Sequence, residues 1–184
     1  MATPRIYTVG HSNGPIEDFV ELLRSFEIRT VVDVRSRPYS TYVPHFNRES
    51  LSHSFWRAGL TYLFSGDKLG GHPESDDLYN HDRVAYERVA SLGPFRAGID
   101  EVVKLAGTTI LALMCTEEDP SKCHRHPLLA RTLVERDVEV LHIRRDRSVQ
   151  NAAKMLDEPT SAQLPLLEPP GEDLSWKSPK RIRR

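Results

Sequence analysis

Between Cys115 and His126 the chain crowds thiols, carboxylates, imidazoles and a guanidinium into one short stretch: Cys115, Glu117, Glu118, Asp119, Cys123, His124, Arg125 and His126. Two thiols near a predicted helix start point to thiolate chemistry. A helix N-terminus and neighbouring cations lower a thiol pKa, and the thiolate is the nucleophile. A metal site is a second reading, with His126 or His11 as a further ligand. Seven residues separate Cys115 from Cys123, whereas zinc sites usually space cysteines by about two to four. No metal ligand set is therefore assigned. The plain alternative is a small buried cysteine at 115 and a packing cysteine at 123. Glu117 could supply a carboxylate for acid–base work, or be a solvated loop charge before a helix dipole.

Asp33 and Arg35 form a second group, two residues apart at the end of a predicted strand, so both side chains point to the same side of the pleat. They pair with each other, or they divide labour. In the second case Arg35 grips a phosphate bidentately and Asp33 orients a ribose hydroxyl or acts as a base. His11 follows Gly10 in a tight turn and is a candidate general acid–base group. Ser12 and Asn13 are helix caps or ligand contacts. From Arg35 to Arg48, basic side chains (Arg35, Arg37, His45) interleave with Tyr39, Tyr42 and Phe46, followed by Asn47. Cationic groups for phosphates beside rings for bases suit a nucleotide or a single strand. Alternatively the rings pack back on the core. Gly70 and Gly71 allow a backbone to approach a ligand closely, or simply make a turn.

These residues need a scaffold that collects them. Apolar runs predict strands at Arg5–Val9, Thr30–Val34, Leu60–Phe64, Ile110–Met114 and Val138–Ile143. Amphipathic spacing predicts helices at Pro15–Arg24, Glu49–Ala58, Arg83–Ser91, Arg96–Leu105 and Ser148–Leu156. Another begins with Asp119 as N-cap and Pro120 at its first position and runs to about Arg136. Its first turns would carry Cys123, His124, Arg125 and His126. Asp67–Pro73 reads as a loop. Strands alternating with helices predict an α/β fold: a three-layer arrangement with a mostly parallel five-stranded sheet and helices on both faces. Strand order 3-2-1-4-5 is expected, bringing Gly10-His11-Ser12 beside Cys115-Thr116-Glu117. His11, Asp33, Arg35, Cys115 and Glu117 are then expected to line one cleft.

Several pieces in series resemble the bacterial and archaeal domain of unknown function 488 family. They are Tyr7 to Asn13, Val32 to Ser36 with Pro38, Phe46-Asn47, Leu69-Gly70-Gly71, Leu113 to Glu117 with Cys123-His124-Arg125, and Val140 to Ile143. The resemblance spans about residues 5 to 145. It implies a compact α/β domain and no particular reaction.

A chain of 184 residues with net charge −1 suggests one domain, residues 1–156, and gives no whole-molecule charge for a partner. Residues 157–184 are proline-rich with a basic end, Trp176 to Arg184. They read as an extended tail along the domain surface or a basic arm for nucleic acid. No run is apolar and long enough for a membrane span, and the start has no signal-peptide core, so a cytoplasmic protein is expected. Two cysteines then read as thiols or ligands, not a disulfide. No cofactor motif is visible. The expectation is an enzyme acting on a nucleotide or nucleic-acid-type substrate, with hydrolysis of an N-glycosidic bond as the fitting reaction class. Its site residues are His11, Asp33, Cys115 and Glu117, with binding by Ser12, Asn13, Arg35, Arg37, Tyr39, Tyr42, Phe46, Asn47, Gly70, Gly71, Cys123, His124 and Arg125. A thiol or metal enzyme centred on Cys115, Cys123 and His124, and a non-catalytic nucleic-acid-binding module, are the alternatives.

Overall fold

The computed structural model describes residues 3–157 and residue 178. The chain opens with β1 (Arg5–Gly10), α1 (Ile16–Ser25) and β2 (Thr30–Asp33). A loop with a 3-10 turn at Pro44–Phe46 leads to α2 (Arg48–Arg57) and β3 (Thr61–Phe64). A short α3 (Gly66–Leu69) follows, then a hairpin of β4 (Tyr79–Asn80) and β5 (Arg83–Val84), then α4 (Tyr86–Ser91) and α5 (Gly93–Ala106). The remainder is β6 (Leu111–Cys115), α6 (Arg131–Val134), β7 (Glu139–Ile143), β8 (Val149–Asn151) and α7 (Ala152–Asp157). Among the described residues no helix is long and apolar enough to cross a membrane.

The main sheet is mostly parallel and runs β3-β2-β6-β1-β7-β8, with only β8 antiparallel to its neighbour. Strand β6 thus lies between β1 and β2, where the sequence suggested that β1 and β2 would be neighbours. Its residues Leu-Ala-Leu-Met-Cys are buried at every position, whereas β1 keeps Arg5 exposed and Tyr7 and Gly10 partly so. A strand with no polar side chain suits the middle of a sheet covered on both faces. The sixth strand comes from Val149–Asn151, which the sequence assigned to a helix. Likewise the first part of the expected Arg83–Ser91 helix is hairpin, and the start of the expected loop at Asp67–Pro73 is helical. All three are two- to four-residue elements that hydrophobic periodicity cannot resolve.

Alternation along the strands builds two cores. Leu111, Leu113 and Cys115 pack with Ile6, Val32 and Val34 against α4, α5 and the helical residues Leu128, Leu129 and Leu133. Ala112 and Met114 pack with Val9 and Val31 against Phe19 and Leu23 of α1 and Phe55 of α2. Every strand end that carries a chemically competent residue lies at the same edge, because β1, β2, β6 and β7 are parallel. The side chains at that edge divide between the two faces. The tail readings fall outside the described residues, apart from Ser178, whose backbone N–H donates to the Val84 carbonyl at 3.1 Å.

Candidate thiolate site

The turn after β6 decides the geometry. Asp119 caps as its sequence suggests: its carboxylate accepts from Ser121 N at 3.0 Å and from Ser121 Oγ at 2.7 Å. Pro120–Lys122 then forms one 3-10 turn. The expected continuous helix stops there, because Cys123 is extended, with φ −141° and ψ 173°. The chain re-enters helix after His124 through a wide π-helical turn, Arg125–Ala130, in which Leu129 N donates to His124 O at 3.1 Å. Such wide turns are rare and recur at functional sites. The break turns Cys123 and His124 back onto the end of β6. The two sulfurs and an imidazole nitrogen lie within 4.8 Å of one another. Both cysteines are free, and each keeps only 8 % exposure.

Arg125 is wholly buried. Its backbone N–H and its Nε–H both donate to Cys123 Sγ, at 3.3 and 3.2 Å. Nη1 donates to Thr8 Oγ1 at 3.2 Å, and Nη2 to the carbonyls of Glu117 and Glu118. The one group among these partners able to carry a balancing charge is the Cys123 sulfur. Burial opposes ionisation of Cys123. The hydrogen bond from Cys115, the guanidinium of Arg125 and His124 outweigh it and hold the thiol well below its ordinary range. Cys115 is pushed well up by that same hydrogen bond and then by burial. The two directions oppose each other, so Cys123 is the more acidic thiol of the pair.

Two glycines bring backbone to this site. A Cβ on Gly10 would lie 1.8 Å from the Glu117 carbonyl oxygen, so the strip after β6 can lie on β1 only at a glycine. A Cβ on Gly71 would lie 2.6 Å from His124 Cγ, so the Gly70-Gly71 loop packs directly on that ring. Ser36 holds the loop, its Oγ accepting from His72 N at 3.0 Å.

A polar chain runs from the site along the sheet. Because Thr8 Oγ1 accepts from Arg125, its hydroxyl is free to donate to His142 Nδ1, at 2.7 Å. That leaves His142 Nε2–H to donate to His126 Nδ1, at 3.0 Å. Burial lowers the pKa of both imidazoles and so favours their neutral forms. The sequence reading assigned no role to Thr8 or His142. The signal was there: two inward polar residues in apolar strands, directly paired in the β1–β7 register.

Asp33, Arg35 and His11 form a separate cluster on the α1–α2 face. Asp33 pairs in register with Met114, one residue out of phase with Cys115, so alternation sends Asp33 and Cys115 to opposite faces. Arg35 grips Asp33 bidentately, Nε to Oδ1 at 2.9 Å and Nη2 to Oδ2 at 2.6 Å. It also donates to the Phe46 carbonyl at 2.9 Å and reaches His11 Nε2 at 3.0 Å. Tyr62, which the sequence did not single out, donates its hydroxyl to Asp33 Oδ2 at 2.8 Å. His11 Nδ1 lies 2.7 Å from the Ser12 carbonyl, so Nδ1 carries the proton and Nε2 accepts from Arg35. Burial, then the Arg35 charge, lower the His11 pKa to about 4.

The other sequence candidates divide by direction. Phe46 is fully buried and stacks on His11, with ring centroids 4.1 Å apart, and so faces the core instead of a ligand. Asn47 accepts from Ser40 N at 2.6 Å and braces the loop. Tyr39 and Tyr42 point out, 73 % and 95 % exposed, beside exposed Arg37. Ser12 adopts φ 55°, its carbonyl bound to His11, and its hydroxyl reaches Asn13 Oδ1 at 3.4 Å. Glu117 contributes its carbonyl to Arg125, while Glu118 is gripped by Arg144 at 2.8 and 2.6 Å. The cleft expected to hold His11, Asp33, Arg35, Cys115 and Glu117 is thus replaced by two buried clusters at one sheet edge, one per face.

Comparison with curated proteins and with solved structures finds no match. The family model described as domain of unknown function DUF488 matches residues 15–133, which contain β2, β6, both cysteines and His124-Arg125. The chain belongs to that family.

Proposed function

We propose that the chain is an enzyme that works by thiolate chemistry, with Cys123 as nucleophile. The observation that carries this reading is a buried sulfur accepting two N–H groups from a buried arginine. Cys115 is the proton donor beside it, and Arg125 is the fixed counter-charge. The reaction class is attack by the Cys123 sulfur on an electrophilic centre: the sulfur bond forms as the bond to the leaving group breaks, and the leaving group departs with the proton from Cys115. Exposure of only 8 % at each cysteine favours a small reacting group entering past the Gly70-Gly71 loop.

A nucleotide or nucleic-acid-type substrate is the second reading, supported by the outward Tyr39, Tyr42 and Arg37. Asp33 and Arg35 give less support to N-glycosidic hydrolysis, since each is spent on the other inside the core. If the loop holds bases, Tyr42→Ala lowers affinity for a short oligonucleotide by about tenfold, a stacking contribution of about 1–3 kcal/mol. A parent protein that binds no oligonucleotide ends that reading.

Alkylation by iodoacetamide tests the thiolate. In reduced, chelator-treated protein, Cys123 identified by peptide mapping reacts with a rate that stays level down through pH 7. An ordinary thiol near pKa 8.5 is by then mostly protonated. Cys115→Ser removes the supporting thiol donor and moves the profile upward. If both cysteines follow the ordinary thiol profile, the thiolate reading is wrong.

A further inference from the structure

The sequence spacing argued against a metal site, but the folded turn cancels that objection. We propose that Cys115, Cys123 and His124 form a binding site for one thiophilic divalent cation of the Zn2+ class. The two sulfurs and one imidazole nitrogen already converge within 4.8 Å from two separate segments. Bond lengths of about 2.3 Å to sulfur and about 2.0 Å to nitrogen draw these three atoms in by roughly an ångström. Side-chain rotation of two cysteines can supply that.

His124 provides the independent observation. It is 5 % exposed, its Nδ1 faces Cys115 Sγ at 3.9 Å, and its Nε2 is buried without a hydrogen-bond partner. Buried polar atoms are almost always satisfied, and an exception calls for an explanation. Here one imidazole nitrogen has only a long contact to sulfur and the other has no hydrogen-bond partner. A cation between the ring and the thiols replaces the long Nδ1–Cys115 contact with a direct bond and leaves the ring proton on Nε2. The backbone of Gly71 against the ring fixes its orientation. The N–H groups of Arg125 on Cys123 supply the outer hydrogen bonds that coordinated thiolates commonly have.

The donor set selects the ion. Two sulfurs and one nitrogen suit Zn2+ or Co2+ and disfavour Mg2+ and Ca2+, which take oxygen. Among the described residues, no fourth His, Cys, Asp or Glu joins the three. Three protein ligands leave one coordination position for water or another molecule, the pattern of reactive instead of purely structural zinc. The inference does not require that Cys123 be a nucleophile. If it is one, the cation and the electrophile compete for the same sulfur, and the ion regulates the site.

Cobalt reports the site directly. The reduced full chain, stripped with a chelator and then freed of it, is titrated with Co2+. The expected result is saturation at one ion per chain, with visible bands of a tetrahedral ion and near-ultraviolet thiolate-to-cobalt charge transfer of two-thiolate intensity. Zn2+ then bleaches both and protects both cysteines from iodoacetamide. Cys115→Ser and Cys123→Ser each lower the charge-transfer intensity, and His124→Ala weakens cobalt binding by at least about tenfold. His53→Ala, exposed on α2, changes nothing. A parent that gives only an octahedral spectrum without charge transfer overturns the proposal. So do folded Cys115→Ser and His124→Ala proteins that bind cobalt as the parent does. Should a variant not fold, the parent's charge-transfer intensity and zinc protection still decide. The alkylation profile of the metal-free protein fails or succeeds separately, so loss of the nucleophile reading is distinguishable from loss of the metal site.

Discussion

Among the described residues two arginines, Arg35 and Arg125, are buried, and their charges are engaged differently. Arg35 grips Asp33 on both carboxylate oxygens, while Arg125 donates two N–H groups to the Cys123 sulfur. Removing one partner of a buried pair strands the other charge, at a cost of about 3–5 kcal/mol. Arg35→Ala is therefore expected to lower unfolding stability by that amount in urea titration. Arg35→Lys recovers little, because an ammonium cannot reproduce the fork on both Asp33 oxygens. A stable Arg35→Ala protein that has lost oligonucleotide binding would instead make Arg35 a ligand group. His11 gives a pH dependence. Its pKa falls from 6.5 to about 4 on folding, under burial and the Arg35 charge, with Asp33 and His45 acting as smaller influences. The unfolded imidazole takes a proton as pH falls through 6.5, and the folded one does not until about 4. The stability is thus fully present above pH 6.5 and is lost progressively towards pH 4, by roughly 3 kcal/mol. His126 and His142 are shifted the same way. His11→Gln should therefore reduce the slope between pH 7 and pH 4.5 without removing it.

The decisive element is the broken connection from β6 to α6. A regular helix from Asp119 onward would carry Cys123 and His124 away on its own surface. One 3-10 turn, one extended residue and a π-helical turn return them to Cys115. The Gly70-Gly71 loop then closes over His124. Gly71→Ala puts a methyl group 2.6 Å from His124 Cγ. The ring has to shift, at an overpacking cost of about 1–3 kcal/mol. The expected signature is a moderate loss of stability in urea titration together with a changed pH profile of Cys123 alkylation. A change in stability alone would mean that the ring moves without disturbing the sulfurs. Gly10→Ala should be worse for folding, since the atom it meets at 1.8 Å is a backbone carbonyl that cannot rotate away.

At the scale of the molecule, the sheet is a partition. The sulfur cluster packs with α5 and the helical residues after Arg125, and the Asp33–Arg35–His11 cluster packs with α1 and α2. The side chains of the two clusters share no partner in the hydrogen bonds described. Their mutational effects should then add: Arg35→Lys combined with Cys115→Ser should equal the sum of the single changes within about 0.5 kcal/mol in urea titration. A larger coupling would show that the backbone link from His11 N to the Cys115 carbonyl, at 3.0 Å, transmits strain across the sheet.

The sequence by itself determined the layers. Five apolar runs alternating with amphipathic stretches dictate a mostly parallel sheet covered on both faces, and Asp119-Pro120 announces its own cap. Residue chemistry also marked the Cys115 to Arg125 stretch, and the series of short motifs placed the chain in its family. Local rules could not reach the strand order, because β6 takes the centre through burial on both sides, a property of its neighbours as much as of its own residues. Nor could they see that Asp33 and Cys115 point to opposite faces. Each strand's alternation is local, but the phase between β2 and β6 is set by their pairing register. The break at Cys123 is also tertiary. The apolar stripe Leu128, Leu129, Leu133 and Val134 fits one helix and Pro127 already removes one helical N–H, but the chain breaks at Cys123, where a buried arginine gains a sulfur, a threonine and two carbonyls. Those partners come from residues 8, 117, 118 and 123, and only the folded chain brings them to one guanidinium.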